Sequence, residues 1–274
     1  MAGGFLFAFK MGTYLRLSLV ALFWGGTFVA GRLVSLEVGP YAAAFIRFLL
    51  ATLFLLPLMI REEGKLPGLS LRQVVALALL GLSGVFAYNA LFFYGLQTVE
   101  AGRAALIIAT NPVLIALFSF LLFGERFHAA MVVGVVLSVI GAVVVISRGD
   151  PLALIQGDLG VGELALLGCV LTWVFYTLLG KRVMTRLKPL TAVTYSCLAG
   201  VLALFPAAVQ DGLFPALGNL SLTSTVGLLY LAFFGTALGF VWFYRGVYEI
   251  GPTRAGQFIN LVPVSAVLLE KAPV

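Results

Sequence analysis

Charge is what this sequence has least of. Asp, Glu, Lys and Arg together make up 10% of it, against roughly 25% in soluble domains. Histidine occurs once, at His128, and cysteine twice, at Cys169 and Cys197. Neither count supports a metal-binding spacing or a disulfide framework, and both cysteines lie in apolar runs where they read as small buried hydrophobes. His128 falls at a loop and reads as a solvated surface residue. No nucleophile stands with a base and an orienting group, and no glycine pattern cradles a phosphate. These absences speak against an intramembrane enzyme and leave no catalytic residue, metal or cofactor to assign. Met1–Phe9 is apolar but short and lacks a basic stretch before it, so no cleavable signal peptide is expected.

What fills the sequence instead is apolar. Hydrophobic residues reach 62%, and the mean hydropathy is +1.11. The apolar runs are about 18 to 22 residues long, enough to cross ~30 Å of hydrocarbon as helices. No ten-residue alternation appears, which speaks against a β-barrel. The net charge of +6 does not point to nucleic acid, because the basic residues occupy short loops between apolar runs.

The chain also repeats itself. Displaced by 151 positions, Gly84, Phe92, Gly95, Arg103, Ala104, Ile108, Pro112 and Val113 fall on their own residue types, with no gap. Displaced by 149, Trp24 meets Trp173, Gly31 meets Gly180, Pro40 meets Pro189 and Pro57 meets Pro206. Glycine, proline and tryptophan each serve special backbone or interface needs, so these coincidences mark one plan used twice. The expected halves are residues 1–150 and 151–274. The expected spans are 14–31, 41–60, 73–94, 103–123 and 129–147, then 161–180, 190–209, 223–244 and 253–269. Five spans per half is an odd number, which inverts the second half in the membrane. The expectation is an all-α membrane bundle of ten-span type, built from two inverted five-helix repeats, with nine spans visible and the tenth absent from the sequence. With the N-terminus in the cytoplasm, twelve basic residues face inward and four outward, with Arg47 left inside a span.

Several motifs carry a resemblance. Leu22-Phe23-Trp24-Gly25-Gly26-Thr27-Phe28, Arg47-Phe48-Leu49-Leu50-Ala51, Asn111-Pro112-Val113 and Phe123-Gly124-Glu125-Arg126 resemble the EamA domain of the ten-helix drug/metabolite transporters. Gly134 and Gly141 fit the same pattern. The resemblance implies a multi-pass carrier of the bacterial inner membrane that exports small metabolites, and within the superfamily it is nearest the aromatic-amino-acid exporters. Its partners would be a small-molecule substrate and the lipid bilayer.

Polar and aromatic groups at membrane depth are the substrate-binding candidates. An unpaired amide in hydrocarbon costs roughly 2–7 kcal/mol, which singles out Asn89, Asn111 and Asn260. Pro112 and Pro263 each free a carbonyl one turn earlier and read as helix breaks. Interhelical amide contacts and simple proline kinks account for the same residues. Trp24, Tyr88, Trp173, Tyr176 and Trp242 lie well inside their spans and either line a wet cavity or pack between helices. Tyr195 shares that depth. Arg47 lies about 9 Å from the outer end of its span at ~1.5 Å per residue, so it either snorkels outward or steers a substrate carboxylate. The pairs Gly25/Gly26, Gly81/Gly84, Gly134/Gly141 and Gly235/Gly239 are expected to let helices approach closely.

Three functions follow from these features: a metabolite carrier working by alternating access, an intramembrane enzyme, and a scaffold. Within carriers, a nucleotide-sugar or drug antiporter is the alternative. Phosphorylated ligands demand several cations, and Arg47 is the one cation within a span. No acid falls at mid-span, so facilitative transport without ion coupling is expected, with sodium at the carbonyls freed near Pro112 and Pro263 as the alternative.

Overall fold

The computed structural model describes the backbone of residues 2–124 and 160–270, with Val133, Leu137 and Ile140 between them, and side chains from residue 12. Every regular element among the described residues is helical. The first half runs α1 (Ala2–Ser35), α2 (Pro40–Glu63), α3 (Leu71–Leu80), a π-helical segment (Gly81–Ala87), α4 (Tyr88–Thr98), α5 (Ala101–Ile108) and α6 (Asn111–Phe123). The second runs α7 (Val161–Val183), α8 (Pro189–Gln210), α9 (Leu213–Asn219), α10 (Leu222–Tyr230), a second π-helical segment (Leu231–Leu238), α11 (Gly239–Ile250), α12 (Pro252–Gln257), a 3-10 turn (Phe258–Leu261) and α13 (Val262–Glu270).

Among the described residues, seven helical stretches are long and apolar enough to cross a membrane: Gly12–Ser35, Pro40–Glu63, Leu71–Thr98, Ala101–Phe123, Val161–Val183, Pro189–Gln210 and Leu222–Ile250. They overrun the expected spans by a few residues at their ends. Helix caps rather than hydropathy set those ends. Pro40 and Pro189 open α2 and α8 at a position whose N–H would be unsatisfied anyway. Ser70 and Gln73 close a reciprocal capping box on α3. Gly64 and Gly124 end their helices at φ +73° and +66°, a conformation that disfavours any side chain. The span expected at 253–269 is divided by the 3-10 turn into two short helices. Apart from Val133, Leu137 and Ile140, the span expected at 129–147, with Gly134 and Gly141, lies outside the described residues.

The 151-residue offset recurs in the backbone. Leu71 and Leu222, Ala101 and Pro252, and Asn111 and Val262 start corresponding helices. The two π-helical segments also fall at matching places in the long α3–α4 and α10–α11 spans. A π-turn shifts the hydrogen-bond register and leaves carbonyls for other donors, and it concentrates at functional sites.

The halves interdigitate. α2 packs along α8, α4 along α7, and α1 along α13. The Asp211 carboxylate at the end of α8 accepts from the Tyr41 and Ala42 amides of α2 at 2.8 and 3.1 Å, capping that helix across the repeat boundary. Close approach depends on bare backbone. A Cβ on Gly81 would meet the Gly200 nitrogen and the Ser196 carbonyl oxygen of α8, both at 2.7 Å. The helix surfaces away from these contacts carry exposed Leu, Phe and Val, as lipid-facing surfaces do.

A candidate substrate cavity between the two halves

The helix interruptions meet at the centre of the bundle. α5 stops at Ile108 and α6 begins at Asn111, whose amide donates back to the Ile108 carbonyl at 3.0 Å. The corresponding stretch of the second half turns through Phe258–Leu261 before α13 begins. Beside both breaks lies a narrow cavity, whose space of about 420 Å³ includes its open mouth. Trp24, Thr27 and Phe28 line it from α1, Arg47 from α2, and Tyr88 and Phe92 from α4. Ile108 and Asn111 contribute from the first break, and Ile259 and Val262 from the second. Trp173 of α7 and Phe240 of α11 complete it.

The walls are mainly aromatic. Trp24 and Trp173, the pair related by 149 positions, meet edge-to-face with ring centres 5.2 Å apart. Tyr88 and Phe240 stand 5.3 and 5.2 Å from Trp173. The Trp24 indole N–H donates to the Gly235 carbonyl of the second π-segment at 2.9 Å. A Cβ on Gly239 would lie 2.6 Å from that same indole nitrogen, so glycine keeps the ring seated.

Arg47 supplies the cavity's charge. Its side chain is buried and turns into the bundle. Nη1 donates to Asn89 Oδ1 and Nε to Thr236 Oγ1, each at 2.9 Å. Both acceptors are themselves held by π-helical carbonyls. Asn89 Nδ2 donates to Gly84 and Val85 at 3.1 and 3.0 Å, and Thr236 Oγ1 donates to Leu231 at 3.1 Å. One arginine from α2 is thus clamped between the two halves, and the carbonyls released by each π-turn serve to hold its partners. The remaining Nη2 makes no hydrogen bond among the described residues, and no described carboxylate pairs with the guanidinium. Two further polar atoms in the cavity wall are buried without partners: the Trp173 indole N–H and Asn111 Oδ1. The site therefore presents a cation, a spare donor, a spare acceptor and several ring faces.

The other candidates fall elsewhere. Asn89 stands behind Arg47 as its support and is fully buried. Tyr176 packs behind Trp173, with its hydroxyl 3.2 Å from Ser196 Oγ. Trp242 is half-buried against Phe23 on the far side of α11, and Asn260 is exposed. Tyr195 reaches away to the Pro67 carbonyl at 2.9 Å. Pro112 is buried one residue past the first break, and Pro263 sits in the first turn of α13. Thr27, Thr236 and Phe240 were not among the sequence candidates. Thr236 carried a signal, as the one polar side chain within Leu231–Leu238.

Comparison with known proteins agrees with this architecture. The model of the EamA-like transporter family matches residues 11–147 and again residues 160–272. An uncharacterized transporter, YyaM of Bacillus subtilis, is 29% identical over 94% of this chain and 85% of its own. The uncharacterized inner membrane transporter YedA of Escherichia coli is 29% identical over 92% of this chain and 80% of its own. A crystal structure with 19% identity superposes on 94% of this chain and 88% of its own at a TM-score of 0.69, a likeness of fold alone.

Proposed function

The chain belongs to the EamA-like transporter family, and from that premise we propose that it exports small zwitterionic metabolites, apolar or aromatic amino acids first among them, across the bacterial inner membrane. The protein is a multi-pass membrane transporter; the substrate class is our reading. One observation carries it: a buried guanidinium, fixed by two hydrogen bonds, opens onto an aromatic cavity and has no described counter-ion. A lone buried cation is costly, and a ligand carboxylate would satisfy it. Charge-assisted bonds from Arg47 Nη2 and the Trp173 N–H would hold that carboxylate. Asn111 Oδ1 would accept from the substrate ammonium, and the rings around Trp173 would take the apolar side chain.

The mechanism in this reading is alternating access, with the two halves as inverted repeats rocking about Arg47 and the paired tryptophans. The N-terminus is cytoplasmic, in keeping with the lysine and arginine distribution. A phosphorylated substrate fits less well, since the described residues of the cavity wall include one cation and a phosphate group calls for several. Transport is facilitative in this reading, because no carboxylate is among the described residues that line the cavity. Purified protein in liposomes should equilibrate labelled phenylalanine without any ion gradient. Accumulation above equilibrium under an imposed pH or sodium gradient would overturn the facilitative mechanism, and absence of flux for every amino acid would overturn the substrate class.

A further inference from the structure

A second concave site lies far from the central cavity, at the end of the bundle where α3 begins and α7 finishes. Arg72, Gln73 and Ala76 of α3 face Arg182 and Val183 of α7 and Arg186 of the following turn across an empty volume of about 510 Å³. Three arginines are among its lining residues, and none of the described lining residues is acidic. The contrast with neighbouring bases at the same end is direct. Lys188 pairs with Glu63 at 3.1 Å and Arg245 with Glu62 at 3.4 Å. Arg72 and Arg186 have no carboxylate partner among the described residues, and Arg182 lies over the Phe123 ring at 5.7 Å.

Apolar surface continues directly from this pocket. Ala76 and Val183 form part of its wall, and Leu71, Val75 and Leu79 stand exposed along α3. A ligand that satisfies both surfaces has an anionic phosphate head and acyl chains. We propose that this pocket binds the headgroup of an anionic phospholipid, with the phosphodiester among Arg72, Arg182 and Arg186 and the chains laid along α3. Arginine's fork suits phosphate, and basic pockets between spans are the places where such headgroups dock. The site is independent of the transported substrate.

Native mass spectrometry of the purified protein in detergent tests this, with phosphatidylglycerol and phosphatidylcholine offered in competition. One phosphatidylglycerol should remain bound where phosphatidylcholine leaves. The triple variant R72Q/R182Q/R186Q should lose roughly 100-fold in affinity, from three contacts at about fivefold each. A control variant, R61Q/K65Q, removes two bases outside the pocket at the same end and should bind as wild type. The single variants R72Q and R186Q change exposed side chains and keep the test open if the triple variant fails to fold; each should lose about fivefold. Equal retention of phosphatidylglycerol by the wild type and the triple variant would overturn the site. Displacement of the lipid by millimolar inorganic phosphate would reassign it to a soluble anion and overturn the lipid proposal.

Discussion

Replacing Arg47 by Gln separates the role of this side chain in binding from any role in folding. In the native protein the guanidinium is buried, donates to Asn89 and Thr236 at 2.9 Å, and has no described carboxylate beside it. Removing a buried charge that lacks a counter-ion relieves a desolvation penalty of several kcal/mol. Against this, Asn89 Oδ1 and Thr236 Oγ1 lose their donor, at about 1–3 kcal/mol each if left unsatisfied. The Gln amide can reach at most one of them. The two effects oppose, so the thermal midpoint in detergent should move little or rise. Ligand recognition should not be spared. A hydrogen bond to a charged group contributes about 1.5–3 kcal/mol, so loss of the guanidinium–carboxylate contact should weaken binding of phenylalanine by ~10- to ~150-fold. The methyl ester of phenylalanine lacks the carboxylate, and its binding should change far less. Affinity measured for acid and ester on both proteins gives the decisive comparison. Wild type should prefer the acid and R47Q should lose that preference. An R47Q protein that is folded and still favours the acid by the wild-type factor would refute the assignment.

Three other outcomes follow from named contacts. Gly81→Ala should destabilise the protein by about 1–3 kcal/mol, read as a lower thermal midpoint, because the new methyl meets backbone atoms of α8 that cannot rotate away. Glu37, in the loop after α1, accepts from the Ser221 amide and hydroxyl, both at 2.6 Å, and from the Ser224 hydroxyl. The Ser221 hydroxyl is the largest of the effects holding its carboxyl below the usual 4.5; since the folded value is depressed, the stabilisation is present above pH 4.5 and fades as pH falls through the folded value. Stability measured against pH should therefore show an acid-side decline that Glu37→Gln flattens. A cysteine placed at Arg186 should resist an impermeant reagent applied to whole cells; labelling from outside would reverse the proposed orientation.

The fold class could be read from the sequence because it rests on composition, and composition constrains a membrane chain severely. Pairing by repeat was informative too: Trp24 and Trp173, matched only by their 149-residue spacing, touch in the folded protein. Depth within a span was a weaker guide, because depth does not specify the helix face. On α11, Phe240, Phe243, Tyr244 and Val247 face inward at helical spacing, which leaves Trp242 on the flank. Asn260 turns outward for the same reason, while its neighbour Ile259 reaches the cavity. The π-helical segments left no mark in hydropathy, yet their freed carbonyls hold Asn89 and Thr236 and thereby aim Arg47. Arg47 was visible as a cation inside a span, but its direction was not. The clamp that turns it inward joins three residues separated by 42 and 189 positions.

The claim that a substrate carboxylate completes the charge of Arg47 can be tested without transport. Carboxyl-13C phenylalanine bound to protein carrying 15N-labelled arginine can be studied by solid-state dipolar recoupling, with R47Q identifying the residue-specific signal. The account predicts a carbon–nitrogen coupling corresponding to ion-pair contact, with N···O within about 4 Å, present in the wild type and absent in R47Q. A bound carboxylate that shows no coupling to any arginine nitrogen would contradict it.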